Sequence, residues 1–332
     1  MPRVPPALVV LYTGVLMPCA QAQPLDVDEH SPSRGTAAAC QPCHEETWST
    51  WRKSRHAASF TNPLFQLSLQ SARQRDWCLS CHLPRPEQRA LLGEVGHRGA
   101  AGTLVEDGVD CHTCHIEDGH IVSGTRPDDA SLVAHGVEAR PHLKTSAFCA
   151  RCHQFEGPVE HPPFALGGDP LQDTYGEWVA SGVQTTCQDC HMPDGEHRFP
   201  GAHDRTMLQR ALTVDVSSDG TTVTLALATT EAVAHKVPTG DPFRRLRVAL
   251  CADADCQTLL WSHHLGVSHE HRDGVLRVAR DTRLEPGGQW RVTLPLPPGA
   301  HHWQVALLYG EVQWTPLLPP EEQLGVVYQG VL

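Results

Sequence analysis

One five-residue unit, Cys-x-x-Cys-His, occurs five times in this 332-residue chain: Cys40 to His44, Cys78 to His82, Cys111 to His115, Cys149 to His153 and Cys187 to His191. Two thiols three positions apart share one helical turn, where both can bond the vinyl groups of a single porphyrin, and the histidine that follows reaches the iron. Structural zinc sites and thioredoxin-like redox pairs also use Cys-x-x-Cys, but neither needs a histidine after every second cysteine. The five copies therefore read as attachment sites for five covalently bound haem c groups. The thioether cysteines are Cys40, Cys43, Cys78, Cys81, Cys111, Cys114, Cys149, Cys152, Cys187 and Cys190, and the proximal iron ligands are His44, His82, His115, His153 and His191.

The leading cysteines stand at intervals of 38, 33, 38 and 38 residues, so each haem has about one helix and one loop of protein to itself. That stretch is too poor in aliphatic residues for an ordinary core. Five porphyrins would supply the missing apolar area, and without them this half is expected to be unfolded. Helices are expected over 45–56, where acids come early and bases late, over 63–74 and over 174–181. Residues 117–144 read as loop.

Beyond Gln209 the pattern changes. Leu212 to Val216 and Val223 to Leu227 alternate around Ser217-Ser218-Asp219-Gly220, a hairpin signature, and 246–250, 275–278, 290–294 and 303–307 continue it. Seven or so short strands in some 120 residues predict an all-β sandwich, immunoglobulin-like, with a closed barrel as the other possibility. The expected organisation is a signal peptide at 1–22, a mostly α and irregular haem-wrapped domain at 23–209, and the β-sandwich at 210–332.

The start of the chain has a base at Arg3, an apolar run from Ala7 to Leu16, and Ala20-Gln21-Ala22 before Gln23, the pattern of a cleaved secretory signal. Lipidation at Cys19 is the alternative, though Pro18 before it fits that poorly. The mature protein is then periplasmic or extracellular. Of 13 cysteines, only Cys251 and Cys256 are left outside the signal and the motifs, and in an oxidising compartment they are expected to form a structural disulfide. The formal net charge of −12 argues against nucleic acid or anionic membrane as a partner and points to a basic patch on a protein redox partner.

Several stretches resemble the multihaem cytochrome c superfamily that includes the tetrahaem electron-transfer protein of nitrifying bacteria, the partner of hydroxylamine oxidoreductase. They are Trp48 to Ala57, Gly108-Val109-Asp110 before the third motif, Cys187 to Pro193, and His197 to Asp204. The resemblance covers the haem half; His235 to Pro242 resembles a loop in β-domains appended to related multihaem proteins. It implies electron transfer along closely stacked, mostly bis-histidine haems, with some relatives acting as reductases or oxidases of small nitrogen or sulfur compounds. The chain departs from the tetrahaem members by its fifth motif and its β-domain.

Five of 22 histidines are proximal, leaving seventeen for five distal positions, whereas Met192 and Met207 are the only methionines beyond the signal. Bis-histidine ligation follows. The distal candidates are His56, supported by the resemblance, with His197, His203, His135, His142 and His235, the last reaching in from the β-domain; His97 and His112 are weaker. His263, His264, His269, His271, His301 and His302 read as ordinary surface histidines. Arg244 and Arg245 follow the His235 loop and are candidates to pair haem propionates, or else to line a solvated strand edge.

Three functions fit. The first is an extracytoplasmic pentahaem electron carrier with no substrate chemistry. The second is a reductase or oxidase with one open iron, although the Cys-x-x-Cys-Lys unit of pentahaem nitrite reductases is absent. The third is a filament-forming or interaction cytochrome in which His235 completes a neighbouring subunit's haem.

Overall fold

The computed structural model describes residues 35–71, 75–95, 104–126, 135–156, 168–272, 275–309 and 324–332. The expected signal peptide, Cys19 and His97 lie outside them.

Helices come first. α1 (Glu45–Arg52), α2 (Pro63–Ser71), α3 (Arg75–His82), α4 (Pro86–Val95), α5 (Cys111–His115), α6 (Ser146–His153), α7 (Thr174–Ser181), α8 (Cys187–His191) and α9 (Arg205–Ala211) are all short. Four attachment motifs end a helix: α3, α5, α6 and α8 each close on the proximal histidine. Two of these helices start on side-chain caps. Asp110 accepts the Thr113 N–H at the head of α5, and Thr186 and Asp189 form a reciprocal capping box on α8. The stretch 117–144, expected to be loop, instead holds β1 (Ile116–Glu117), β2 (His120–Ser123) and β3 (Glu138–Ala139), one small sheet. Elements of two to four residues leave no alternation to read. β4 (Phe155–Glu156) and β5 (Pro170–Gln172) pair further on.

α9 runs directly into β6 (Leu212–Ser218), the first of eight strands among the described residues: β7 (Thr222–Thr229), β8 (Arg245–Cys251), β9 (Leu259–Arg272), β10 (Val275–Asp281), β11 (Gln289–Pro295), β12 (His302–Leu308) and β13 (Leu324–Val331). The β6–β7 hairpin is shaped by Asp219, whose Oδ1 accepts the N–H groups of Thr221 and Thr222 at 2.8 and 2.7 Å, and by Gly220 at φ +84°. Two antiparallel sheets result, ordered β10-β9-β8-β12-β13 and β11-β7-β6. They share one core in which Leu225 and Leu227 of the smaller sheet meet Leu246, Val248, Leu250, Val305 and Leu307 of the larger. Cys251 and Cys256 are bonded across the turn after β8.

Among the described residues the haem half has two small clusters by comparison, Phe60, Leu69, Leu79, Leu83 and Val105 in one and Ala37, Trp51 and Ala57 in the other. The two halves meet over a firm interface. Gln209 donates to the Val327 carbonyl, and the Tyr328 hydroxyl donates to the carbonyls of Gln209 and Leu212.

Candidate haem sites

Each attachment motif brings its cysteines near those of another. The Cys40 thiol lies within hydrogen-bonding reach of Cys111, Cys81 of Cys152, and Cys149 of Cys187. The first motif therefore adjoins the third, and the fourth adjoins both the second and the fifth.

Four proximal histidines face a second histidine across a gap. Ring centroids are 6.2 Å apart for His44 and His135, 6.1 Å for His153 and His56, 6.1 Å for His115 and His197, and 6.3 Å for His191 and His235. An imidazole nitrogen about 2.0 Å from a metal puts its ring centroid ~3 Å away, so two imidazoles on one metal span ~6 Å. The four gaps fit an iron between each pair.

Protonation is arranged for ligation as well. His115 Nδ1 lies 2.8 Å from the Val122 carbonyl, His191 Nδ1 2.6 Å from Pro200, His197 Nδ1 2.7 Å from Gly195 and His235 Nδ1 3.0 Å from Lys236. A carbonyl oxygen can only accept, so Nδ1 carries the proton and Nε2 keeps its lone pair for iron. At His153 the Gln172 side-chain amide nitrogen lies 3.1 Å from Nδ1. Burial pushes His56 down to about 3 and His153 to about 4, and lowers His44, His191 and His197.

His56 is positioned by the Gly108-Val109-Asp110 run. Val109 N–H donates to the His56 carbonyl at 3.0 Å, and the Trp51 indole donates to the Val109 carbonyl at 2.9 Å. Gly108 sits at φ +57° with its backbone so close to the 56–59 turn that a Cβ would lie 2.7 Å from the His56 carbonyl oxygen, so only glycine fits. The Phe199 ring then packs at 4.3 Å on His56 and 5.8 Å from His197.

His82 differs. Its Nδ1 lies 2.9 Å from the Ser59 carbonyl and its ring stacks on Phe65 at 3.9 Å, but among the described residues no histidine ring stands opposite it.

Other sequence candidates lie elsewhere. His203 stacks on Tyr309 and takes a hydrogen bond from Arg55 at 2.8 Å. His142 is half exposed, 3.3 Å from Glu117. His112 is buried beside Asp110, whose carboxylate also receives the buried Arg85 guanidinium. Arg244 donates to the Thr239 carbonyl at 3.0 Å, and Arg245 to the Pro242 and Arg244 carbonyls, so both brace the loop after His235. Reading the sequence missed Gln172 and Glu177, single polar residues with no motif around them.

The family described as cytochrome c554 and c-prime matches residues 39–116, from the first attachment motif to the third. The chain is also similar in structure to a penta-heme cytochrome c552 from Thermochromatium tepidum, with TM-score 0.69 and 20% sequence identity over 90% of this chain and 99% of that one. At that identity the likeness is one of fold. No curated protein matches the chain. With five attachment motifs and a family match over three of them, the chain carries covalently bound haem c and is similar in fold to a multihaem c-type cytochrome.

Proposed function

We propose that this is an extracytoplasmic pentahaem cytochrome that carries single electrons between protein redox partners. The observation that carries the reading is the set of four opposed imidazole pairs, His44 with His135, His56 with His153, His115 with His197 and His191 with His235. Bound haem c supplies an iron that takes up and releases one electron. The protein's part would be to hold four of the irons between paired imidazoles, which would leave those irons no open position for substrate and keep their potentials below those of His/Met sites. Adjoining attachment cysteines hold neighbouring sites close enough for transfer within the chain.

The Cys251 and Cys256 disulfide supports an oxidising compartment, and no helix among the described residues is long and apolar enough to cross a membrane. The strand orders of the two sheets support an immunoglobulin-like sandwich of variable type that lacks one strand of the smaller sheet. The net charge favours a partner with a basic face. His235 faces His191 of its own chain, which argues against its capping an iron in a neighbouring subunit.

A second reading rests on His82, which has no opposed imidazole among the described residues. An iron open on that side would bind a small nitrogen or sulfur compound and make the protein a reductase or oxidase. EPR of the resting holoprotein separates the two. Low-spin ferric signals alone support the carrier; a high-spin signal from one haem in five, lost in His82 variants, supports the enzyme.

A further inference from the structure

The histidine that faces His191 comes from the loop between β7 and β8, and that loop is fastened to the haem half at one buried acid. Glu177 lies on α7, ten residues before Cys187, and is only 5% exposed. Its Oε2 accepts the backbone N–H of Lys236 at 3.2 Å and the Thr239 hydroxyl at 2.7 Å, the residues one and four places after His235. Its Oε1 accepts from the Arg283 guanidinium at 2.5 Å. Arg283 is itself paired with Asp281, and Asp281 with Lys236, so the acid is tied to the loop directly and through the strand end behind it. Thr239 also meets Thr174, three residues earlier on α7, at 3.0 Å.

A buried carboxylate is an expensive way to glue two surfaces, because apolar residues of like volume serve as well or better. What a carboxylate adds is direction. Two oxygens taking three donors fix the loop's backbone on both sides of the critical part of its course, whereas an apolar contact would let it slide. The same α7 leads into α8, whose last residue is the proximal His191. One residue therefore joins the segment that bears one ring of this pair to the loop that bears the other.

We propose that Glu177 is the positioning residue for the sixth ligand of the fifth haem: it holds His235 at its distance from His191, and without it the ligand leaves and returns readily, turning a closed site into one open to small molecules. This rests on reading His191 and His235 as an axial pair.

The test uses the full-length holoprotein with Glu177→Ala, Glu177→Gln, Thr239→Val and His235→Ala. His235→Ala is expected to convert one haem to high spin, with exogenous imidazole restoring the low-spin signal. Glu177→Ala is expected to give the same imidazole-reversible signal in part, and CO is expected to bind its reduced form at one haem about tenfold faster than in the parent protein, the usual scale for losing a group that orients a metal ligand. Glu177→Gln and Thr239→Val are expected to give smaller effects in the same direction, and Thr239→Val decides the matter if Glu177→Ala does not fold. Glu177 and Thr239 variants that lower the melting temperature yet stay low-spin and CO-inert, beside a high-spin His235→Ala, would overturn the positioning role alone. A His235→Ala protein with no high-spin signal would overturn the axial pair and the proposal with it.

Discussion

The ring of His203 lies flat on that of Tyr309, centroids 3.9 Å apart and planes 17° from parallel, so a histidine that follows the fifth attachment motif is packed on a tyrosine beyond β12. The Tyr309 hydroxyl donates to the Ala202 carbonyl at 3.0 Å, and Arg55 donates to His203 Nδ1 at 2.8 Å. This histidine belongs to the seam between the halves.

Replacing it tests that role. His203→Asn is expected to leave haem spin state untouched and to cost about 1–2 kcal/mol at neutral pH, from the lost stack and hydrogen bond. Burial, helped by the nearby Arg55 and Arg244 guanidiniums, pushes His203 down to about 3. The unfolded chain protonates this residue near pH 6.5 while the folded one does not, so its contribution is complete above pH 6.5 and is lost as pH falls toward about 3. Denaturation midpoints at pH 7, 5.5 and 4.5 are expected to fall less steeply in the variant than in the parent; parallel slopes would contradict the assignment.

The axial pairs predict a pattern across a histidine scan. His56→Ala, His135→Ala and His197→Ala are each expected to produce one imidazole-responsive high-spin haem, and His142→Ala none. Magnetic circular dichroism of the four proteins reads this directly. A high-spin haem in His142→Ala would show that the half-exposed ring moves onto an iron in the holoprotein.

The two halves are expected to part company when haem is withheld. Phe60, Leu69, Leu79, Leu83 and Val105 are too few to hold the helices together, whereas the shared core of the two sheets is large. Chain made without haem attachment is expected to lose residues 35–204 to proteolysis rapidly and to retain a protected fragment beginning near Leu212. Hydrogen exchange that protects both halves equally would rule this out.

Within the β-domain, Leu246 is fully buried between the sheets, and Leu246→Ala is expected to cost about 2–5 kcal/mol through the lost contacts and the cavity left. Cys251→Ser with Cys256→Ser is expected to cost roughly 2 kcal/mol, since the loop it closes is short. Urea unfolding followed by tryptophan fluorescence measures both.

The attachment motifs were legible because each is local: two thiols and a histidine fall within one turn. The hairpin around Asp219 was legible for the same reason. The proposed distal ligands are not local, since 91 residues separate His44 from His135 and 97 separate His56 from His153, so composition named the candidates without pairing them. β9 went unread because His263, His264, Gly266 and His269 interrupt its apolar alternation. Glu177 gives no signal at all: an acid in a short helix reads as a solvated one until a guanidinium from a hundred residues later, Arg283, covers it.

The close approach of cysteines from different motifs has an architectural meaning. Cys111 follows Cys40 by 71 residues, and Cys152 follows Cys81 by the same 71. Each of the first two motifs thus lies against its own counterpart one repeat later, as two copies of a two-motif module laid side by side would. The fifth motif belongs to neither copy. It rests on the fourth through Cys149 and Cys187, and its His191 faces His235 from the loop between β7 and β8. On the axial pairing proposed for His191 and His235, the fifth site is the appendage, and the β-domain is the part that completes it.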